Sequence, residues 1–267
     1  MGFMADKKAL IVGVASDRSI ASGIAEAFVR EGAEVAFTYQ NDKLRGRVEK
    51  LAERLGQDTS LLFPCDVTSD EEIDAVFAGL AEHWDGLDVL VHSVGFAPRE
   101  QLAGGFTESI TREGYAISHD ISAYSLAALA KAALPMMDGR DAAILALTYD
   151  AATKVVPNYN VMGLAKASLE SCMRFLAADL GPKGIRVNAI CPGVIQTDFT
   201  NWRFQLEADI LDSTAEERQA EMLKTIPMGR LGTTENVADL VAFLVSDQSA
   251  YITGQAINIT GGQLMEI

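Results

Sequence analysis

Tyr159 and Lys166 are the residues of this sequence whose types and spacing best suit acid–base chemistry. Seven positions separate them, which is two turns of a helix, so a helix here places both side chains on one face, roughly 10 Å apart along its axis. A tyrosine hydroxyl can donate a proton or a hydrogen bond to an oxygen that gains negative charge. A nearby ammonium favours that charge and can hold ribose hydroxyls. Because amphipathic helices often carry such a pair by chance, the spacing alone leaves a catalytic and a structural interpretation open.

Strand-sized apolar runs and amphipathic segments alternate along the whole chain, and these elements must position the pair. The runs rich in β-branched residues predict strands at 8–12, 34–39, 60–63, 88–92, 142–147, 186–191 and 256–260. The amphipathic segments predict helices at 19–31, 43–55, 69–84, 112–137, 159–180 and 233–246. Most strands are apolar along their length, which indicates a sheet covered on both faces. The alternation predicts an α/β fold of the Rossmann type, a doubly wound parallel sheet of seven strands flanked by helices.

Length and composition fit one globular domain spanning 1–267. The residues are 49% hydrophobic and 22% charged, and no internal repeat or linker divides them. The formal net charge of −15 disfavours nucleic acid and anionic membranes as partners. No apolar run reaches the ~20 residues that span a bilayer, and the first residues lack a secretory signal. Since Cys65, Cys172 and Cys191 match no disulfide framework or zinc spacing, we expect a cytoplasmic protein without a metal site.

Residues 197–230 break the alternation of strands and helices. The stretch is long, has no strand character, and carries Phe199, Trp202 and Phe204. An insertion after the carboxyl end of a strand lies where parallel sheets bind ligands, so one interpretation is a mobile substrate lid. The other interpretation is a helical pair packed for structure or oligomerisation.

The turn after the first predicted strand has parts of a dinucleotide site without the usual three glycines. Gly13 permits a tight turn, and Ser19 lies near the amino end of the next helix, where amide groups and the helix dipole can hold a pyrophosphate. After the second strand, Gln40 can hydrogen-bond a ribose hydroxyl but offers a 2′-phosphate no charge, which favours NADH. Lys43 and Arg45 are close enough in sequence to keep NADPH possible.

Two further strand ends offer groups to the same ligand. Asp66 and Val67 follow the third strand, where the carboxylate can accept from an adenine amino group or, alternatively, cap a helix. Gly95 follows the fourth strand and lets the backbone approach a cofactor closely. His92 lies inside an apolar strand, and we interpret it as a core histidine rather than as an acid or base.

Several motifs resemble the bacterial enoyl-[acyl-carrier-protein] reductases, divergent members of the short-chain dehydrogenase/reductase superfamily. They occur in order and at matching spacing over roughly residues 1–190. The motifs are the turn from Gly13 to Ala21, 38–43 (TYQNDK), 92–97 (HSVGFA), 111–114 (TREG), 118–122 (SHDIS) and 157–168 (PNYNVMGLAKAS).

The resemblance implies hydride transfer from NADH to C3 of a trans-2-enoyl thioester and protonation at C2, in fatty acid synthesis. It implies a substrate linked to acyl carrier protein or coenzyme A, and a homotetramer in which 252–267 could pack at an interface. Tyr159 would hydrogen-bond the thioester carbonyl as it becomes an enolate, Lys166 would hold the nicotinamide ribose, and Tyr149 would line the substrate site. The cofactor contacts would be Gly13, Ser19, Ile20, Gln40, Asp66, Val67, Ser93, Gly95, Lys166, Ile195 and Thr197.

Ketone reduction by the larger branch of the superfamily is the main alternative. That branch has Tyr-x3-Lys with a serine thirteen residues before the tyrosine, whereas this chain has Gly163 and Ala146 at those positions, and its region 119–121 (HDI) lacks the branch's asparagine. The segments 191–197 (CPGVIQT), 227–233 (PMGRLGT) and 251–256 (YITGQA) nevertheless resemble that branch, so the acyl substrate is more open than the cofactor. A dinucleotide-sensing protein without catalysis is a third possibility, which the intact tyrosines and lysine disfavour.

Overall fold

Seven parallel strands form one sheet in the computed structural model, which describes residues 2–265. Their order across the sheet is β3-β2-β1-β4-β5-β6-β7. The strands are β1 (Lys8–Val12), β2 (Glu34–Tyr39), β3 (Leu62–Pro64), β4 (Val89–His92), β5 (Ala143–Leu147), β6 (Arg186–Pro192) and β7 (Ala256–Ile259). The predicted doubly wound parallel sheet is therefore confirmed. The tail predicted to pack at an interface includes β7, but its last two residues, 266 and 267, lie outside the described residues.

Helices lie on both faces of the sheet. They are α1 (Ile20–Arg30), α2 (Asp42–Arg54), α3 (Asp70–His83), α4 (Phe106–Ser109), α5 (Arg112–His119), α6 (Ser125–Met137), α7 (Asn160–Leu180), α8 (Asp198–Leu211), α9 (Ala215–Lys224) and α10 (Thr234–Val245). Ser19, Ser69 and Thr111 each cap their helix by accepting a hydrogen bond from a backbone amide of its first turn. The region at 197–230 contains two helices, α8 and α9, an arrangement that fits both interpretations of this stretch.

Two predicted elements differ from the structure by more than a one-residue shift at their ends. The third strand is shorter because the side chain of Asp58 accepts from N of Ser60 at 2.8 Å and holds Thr59–Leu61 in a 3₁₀ turn. The helix predicted at 112–137 is interrupted by a π-helical turn at Asp120–Tyr124, which separates α5 from α6. Such turns widen a helix locally and often occur at functional sites.

The core consists of two apolar layers, one on each face of the sheet. Neighbouring residues of a strand enter opposite layers: Leu90 belongs to the layer formed with α3, α6 and α7, whereas Val91 belongs to the layer formed with α1, α2 and α10. A central strand must therefore be apolar at consecutive positions, which is the pattern in the sequence. Both layers hold the strands in place, so the loops at their carboxyl ends start from fixed points.

The direction of the crossovers reverses between β1 and β4, so the loops after these strands diverge and leave a crevice. Gly13 follows β1 with a φ of +105°, which favours glycine. A β-carbon at this position would overlap the backbone oxygen of Ser93, which follows β4. The absence of a side chain at Gly13 is thus what lets the two loops approach each other.

We expect Gly13→Ala to lower the free energy of unfolding by about 2–3 kcal/mol, because it adds left-handed strain and an overlap with Ser93. Gly46→Ala is the matched control, since Gly46 is exposed in α2 and a β-carbon there meets no heavy atom within 4 Å. The control should gain about 0.5–1 kcal/mol from helix propensity. Urea unfolding followed by circular dichroism measures both, and similar values for the two variants would contradict the role of Gly13.

Candidate active site

The carboxyl edge of the sheet brings together the residues singled out from the sequence. Tyr159 and Lys166 reach this edge from the start of α7. From β1 to β6 in turn, the segments after the strands carry Gly13 and Ser19, Gln40, Asp66 and Val67, Ser93 and Gly95, Tyr149, and Ile195 and Thr197.

The turn after β1 presents the amino terminus of α1 to the crevice. Ser19 caps this helix: its Oγ accepts from N of Ser22 at 3.2 Å and donates to O of Ser16 at 2.8 Å. Ile20 is the first residue of α1. Since the first amides of a helix have no partner within it, this terminus can bind an anionic group.

Gln40 and Asp66 are in contact at the ends of β2 and β3. Nε2 of Gln40 donates to Oδ2 of Asp66 at 3.3 Å, while Oδ1 accepts from N and Oγ1 of Thr68 at 3.0 and 2.8 Å. The backbone hydrogen bond from Thr68 is the main cause of a lowered pKa at Asp66. Asp66 does not cap α3, because Ser69 does so, and the capping interpretation is wrong. The Val67 side chain is buried in the core, which leaves its backbone groups for a ligand.

Lys166 is a buried cation, 6% exposed, that faces the loop after β4. Its Nζ donates to O of Leu147 at 2.8 Å. A β-carbon on Gly95 would lie 3.5 Å from that Nζ, so the glycine keeps space open beside the ammonium. Burial lowers the pKa of Lys166 to about 8. An ammonium has three donors, so two of them are left for hydroxyl oxygens of a ligand.

Tyr149 and Tyr159 form an aromatic pair at the end of β5. Their ring centroids are 4.9 Å apart and the ring planes are inclined at 54°. Tyr159 directly precedes α7, which begins at Asn160, one residue later than predicted. Burial raises the pKa of both hydroxyls, so both remain protonated donors at neutral pH. Nδ2 of Asn160 donates to Oγ of Ser109 at 3.0 Å and ties the start of α7 to the end of α4.

A cavity of about 270 Å³ opens beside Tyr149. Arg203 of α8 contributes to its wall and lowers the pKa of the Tyr149 hydroxyl, although the effect of burial is larger. Other lining residues are Asp150, Val156, Pro192, Met222 and Leu264. The mixture of apolar walls and a few polar groups suits a ligand with an apolar chain and a polar end near the tyrosines.

The segment after β6 forms the opposite wall of the crevice. Oγ1 of Thr197 accepts from N of Thr200 at 3.2 Å and caps α8. Ile195 is buried, 4% exposed, and its backbone bridges to the segment before α10. Nη1 of Arg18 lies 3.8 Å from Oδ1 of Asp198, so the loop after β1 meets the start of α8 across the crevice.

A family model described as enoyl-(acyl carrier protein) reductase matches residues 13–263 of the chain. The chain belongs to the enoyl-(acyl carrier protein) reductase family. It is 52% identical to the enoyl-[acyl-carrier-protein] reductase (NADH) FabI of Neisseria meningitidis over 262 aligned residues. This alignment covers 98% of this chain and 96% of the relative. The crystal structure of enoyl-[acyl-carrier-protein] reductase (NADH) from Aquifex aeolicus superposes with a TM-score of 0.90 at 44% identity over 100% of both chains. The Bacillus cereus enoyl-acyl carrier protein reductase, crystallised with NADP+ and indole naphthyridinone, has a TM-score of 0.88 at 38% identity over 100% of both chains.

In this member of the enoyl reductase family, Ser122 positions a loop of the site, which was not predicted from the sequence. Ser122 lies in the π-helical turn, where its Oγ donates to O of Phe96 at 3.0 Å and accepts from N of Phe96 at 2.9 Å. It thereby fixes the loop that carries Gly95. Ser122 is the last residue of the family-like motif at 118–122. A polar residue at a motif position is the sequence feature that could have indicated its role.

His92 is a core histidine in this reductase fold, as the sequence indicated. It is fully buried, and its Nε2 lies 2.7 Å from Oγ of Ser125. Because that hydroxyl donates its one hydrogen to O of Ile121 at 2.7 Å, Nε2 of His92 must be the donor of the pair. Burial lowers the pKa of His92 to about 3, so the ring is neutral.

Among residues 2–265, no group of three His, Cys, Asp or Glu side chains is placed to hold a metal ion. Within the same range, no helix has both the length and the apolar character needed to cross a membrane.

We expect Ser122→Ala to lower the free energy of unfolding by about 1–2 kcal/mol, because two backbone groups of Phe96 lose their partner. Ser168→Ala is the control, since Ser168 is exposed on α7 and alanine favours a helix. Thermal unfolding of both variants measures the difference. Equal midpoints would show that Ser122 does not anchor the loop.

Proposed function

We propose that this chain reduces the 2,3 double bond of a trans-2-enoyl group on acyl carrier protein, with NADH as the reductant, in fatty acid synthesis. The observation that carries the proposal is the buried Lys166 beside the tyrosine pair, at the carboxyl edge where β1 and β4 diverge. Relatives that span nearly the whole chain bear the name enoyl-[acyl-carrier-protein] reductase (NADH).

The residues of the crevice fit a dinucleotide. A β-carbon at Gly13 would fill the space in which the backbone can approach a cofactor. Ser19 caps α1 and Ile20 is its first residue, and the amides at this helix terminus suit a pyrophosphate. We assign the remaining contacts to the other strand ends, with Lys166 at the nicotinamide ribose. These contacts are Gln40, Asp66, Val67, Ser93, Gly95, Ile195 and Thr197. Gln40 contacts the Asp66 carboxylate and carries no charge, which favours a ribose hydroxyl, and hence NADH, over a 2′-phosphate.

When bound, NADH would supply the hydride that adds to C3 of the enoyl group. Tyr159 would then donate a hydrogen bond to the thioester oxygen as that oxygen gains negative charge, since burial keeps its hydroxyl protonated. Lys166 lies two helical turns after Tyr159, and its ammonium would favour the same negative charge. Its two remaining N–H donors would hold the ribose. Tyr149 packs against Tyr159 and lines the cavity that would take the acyl chain.

The positions used by ketone reductases of the superfamily are closed to that chemistry. Ala146, thirteen residues before Tyr159, is fully buried in β5 and has no hydroxyl. Gly163, four residues after Tyr159, packs so that a β-carbon would lie 3.0 Å from O of Ala151. The chain therefore has neither the serine nor the lysine of that branch at these two positions, which favours the enoyl substrate.

We also propose a single functional domain, a cytoplasmic location and a homotetramer. Cys65, Cys172 and Cys191 are free thiols, as suits a reducing compartment. Phe175 on α7 and Tyr251 before β7 are exposed apolar side chains that a neighbouring subunit would cover. Light scattering at the protein concentration of the rate assay tests the oligomeric state.

Helices α8 and α9 would form the lid over the cavity beside Tyr149, which Arg203 of α8 and Met222 of α9 line.

Loss of NADH absorbance with crotonyl thioester tests the reaction. We expect turnover by the wild type, and a loss of about 10²-fold or more in kcat for Tyr159→Phe with NADH binding kept, since the variant lacks the donor. Tyr115→Phe is the control, because the Tyr115 side chain is exposed on α5 and stacks on His119, and phenylalanine keeps that stacking and should leave the rate unchanged. Rapid turnover of acetoacetyl thioester or another ketone, with none of crotonyl thioester, would overturn the proposal.

The lowered pKa of Lys166 predicts that NADH binding weakens as pH rises. The ammonium is present below a pH of about 8 and is lost above it. Its hydrogen bonds to ribose hydroxyls therefore weaken as the pH rises above that value. We expect the NADH Kd, measured by fluorescence, to rise between about pH 7 and about pH 9. Lys166→Met should bind about tenfold more weakly at pH 7 and lose this dependence. A wild-type Kd that is constant over the range would contradict the assignment.

A further inference from the structure

The buried face of α7 carries a second charged residue, Glu170, one turn after Lys166. Glu170 is 7% exposed, and nothing in the proposed reaction uses it. Burying a carboxylate is costly unless hydrogen bonds and charges compensate for the lost water. A buried carboxylate next to a catalytic lysine therefore calls for an explanation from its contacts.

The contacts of Glu170 lead to the end of β5. Its Oε1 accepts a hydrogen bond from Oγ1 of Thr148 at 2.8 Å, and Thr148 is itself buried. Its Oε2 lies 3.9 Å from Nη1 of Arg174, whose side chain is more than half exposed. The Thr148 hydroxyl is thus the partner that fixes the carboxylate in the interior.

Lys166 and Glu170 hold two consecutive residues of the chain. Nζ of Lys166 donates to O of Leu147, and Glu170 accepts from the side chain of Thr148. Tyr149 is the next residue, and its ring packs on Tyr159. Two contacts from one helix face therefore determine where the strand end places the second tyrosine.

We propose that Glu170 is a positioning residue, which fixes the end of β5 through Thr148 and holds a negative charge one helical turn from Lys166. The inference rests on the proposed function. It assigns Glu170 two separable effects: the hydrogen bond sets the position of Tyr149, and the charge favours the ammonium form of Lys166.

Glu170 is the group that supplies negative charge to Lys166 at neutral pH. The other titratable groups that act on the lysine are His92 of β4 and Cys191 of β6. Burial lowers the pKa of His92 to about 3 and raises that of Cys191 to about 12, so both are neutral between these limits. A Cys191 thiolate would help the lysine, but it forms only above the pH at which Lys166 has lost its proton. The carboxylate of Glu170 opposes the fall in the pKa of Lys166 that burial causes.

The test compares variants that separate the hydrogen bond from the charge, using the full-length enzyme. Glu170→Gln keeps an oxygen that can accept from Thr148 but loses the charge. We expect the pH midpoint above which NADH binding weakens to fall by about one unit in this variant. Thr148→Val keeps the charge and removes the donor, so kcat for crotonyl thioester should fall about tenfold with the midpoint unchanged. Thr148→Ser should restore the rate.

Arg174→Gln is the control, since it removes the exposed cation beside Glu170 and should leave kcat within about twofold of the wild type. A wild-type midpoint in Glu170→Gln would overturn the effect of the charge, and a wild-type kcat in Thr148→Val would overturn the positioning effect. If Glu170→Gln does not fold, the Thr148 variants still decide the positioning effect. Failure of the proposed function is distinguishable, because it shows as absent enoyl turnover in the wild type, while NADH binding still reports the midpoints.

Discussion

The burial of the Lys166 ammonium is the constraint on which the arrangement of the site depends. A cation in the interior is stable only where hydrogen-bond acceptors or negative charges are placed around it, and here the fixed partner is the backbone oxygen of Leu147 at the end of β5. That contact requires α7 to lie directly over the strand end. Once α7 lies there, Tyr159 at its start and Tyr149 after β5 must meet. The tyrosine pair is therefore a consequence of how the lysine is held.

The parallel sheet makes this placement possible because it supplies fixed strand ends. Two apolar layers hold the central strands from both faces, and every strand ends at the same edge. The loops after β1 and β4 can then approach to backbone contact, since Gly13 adds no side chain between them. In the function that we propose, glycines and helix termini would form the cofactor half of the crevice, and ionisable side chains would form the reacting half. An acidic protein with a formal charge of −15 can bind a pyrophosphate this way, because the donors are local amides.

The sequence predicts the parts of the fold that depend on local patterns and misses those that depend on contacts between distant residues. The strands are predictable because a sheet buried on both faces needs consecutive apolar residues, and the placement of Tyr159 and Lys166 along α7 is predictable because their spacing matches a helix. The π-helical turn was missed, since serine and aromatic residues at 118–124 also fit a regular helix. The roles of Ser122 and Glu170 were missed for another reason. Their partners, Phe96 and Thr148, lie more than twenty residues away in sequence, and no local pattern predicts such pairs.

Helices α8 and α9 differ from the rest of the molecule in how they are held. Among the side chains that the structure describes, the apolar cluster beside them consists of Phe204 of α8 with Ile226 and Leu231 of the segment after α9, whereas each main layer has many more members. Phe199 and Trp202 of α8 stay exposed, with their ring centroids 5.8 Å apart. Elements with few buried contacts open at lower free energy than the core does, which suits the lid that we propose. Arg203 on the same helix acts on the hydroxyl of Tyr149, so displacement of α8 would change the polarity of the tyrosine pair as well as access to it. A lid built this way links substrate entry to the electrostatics of the catalytic centre, while Lys166 and its strand end remain in place.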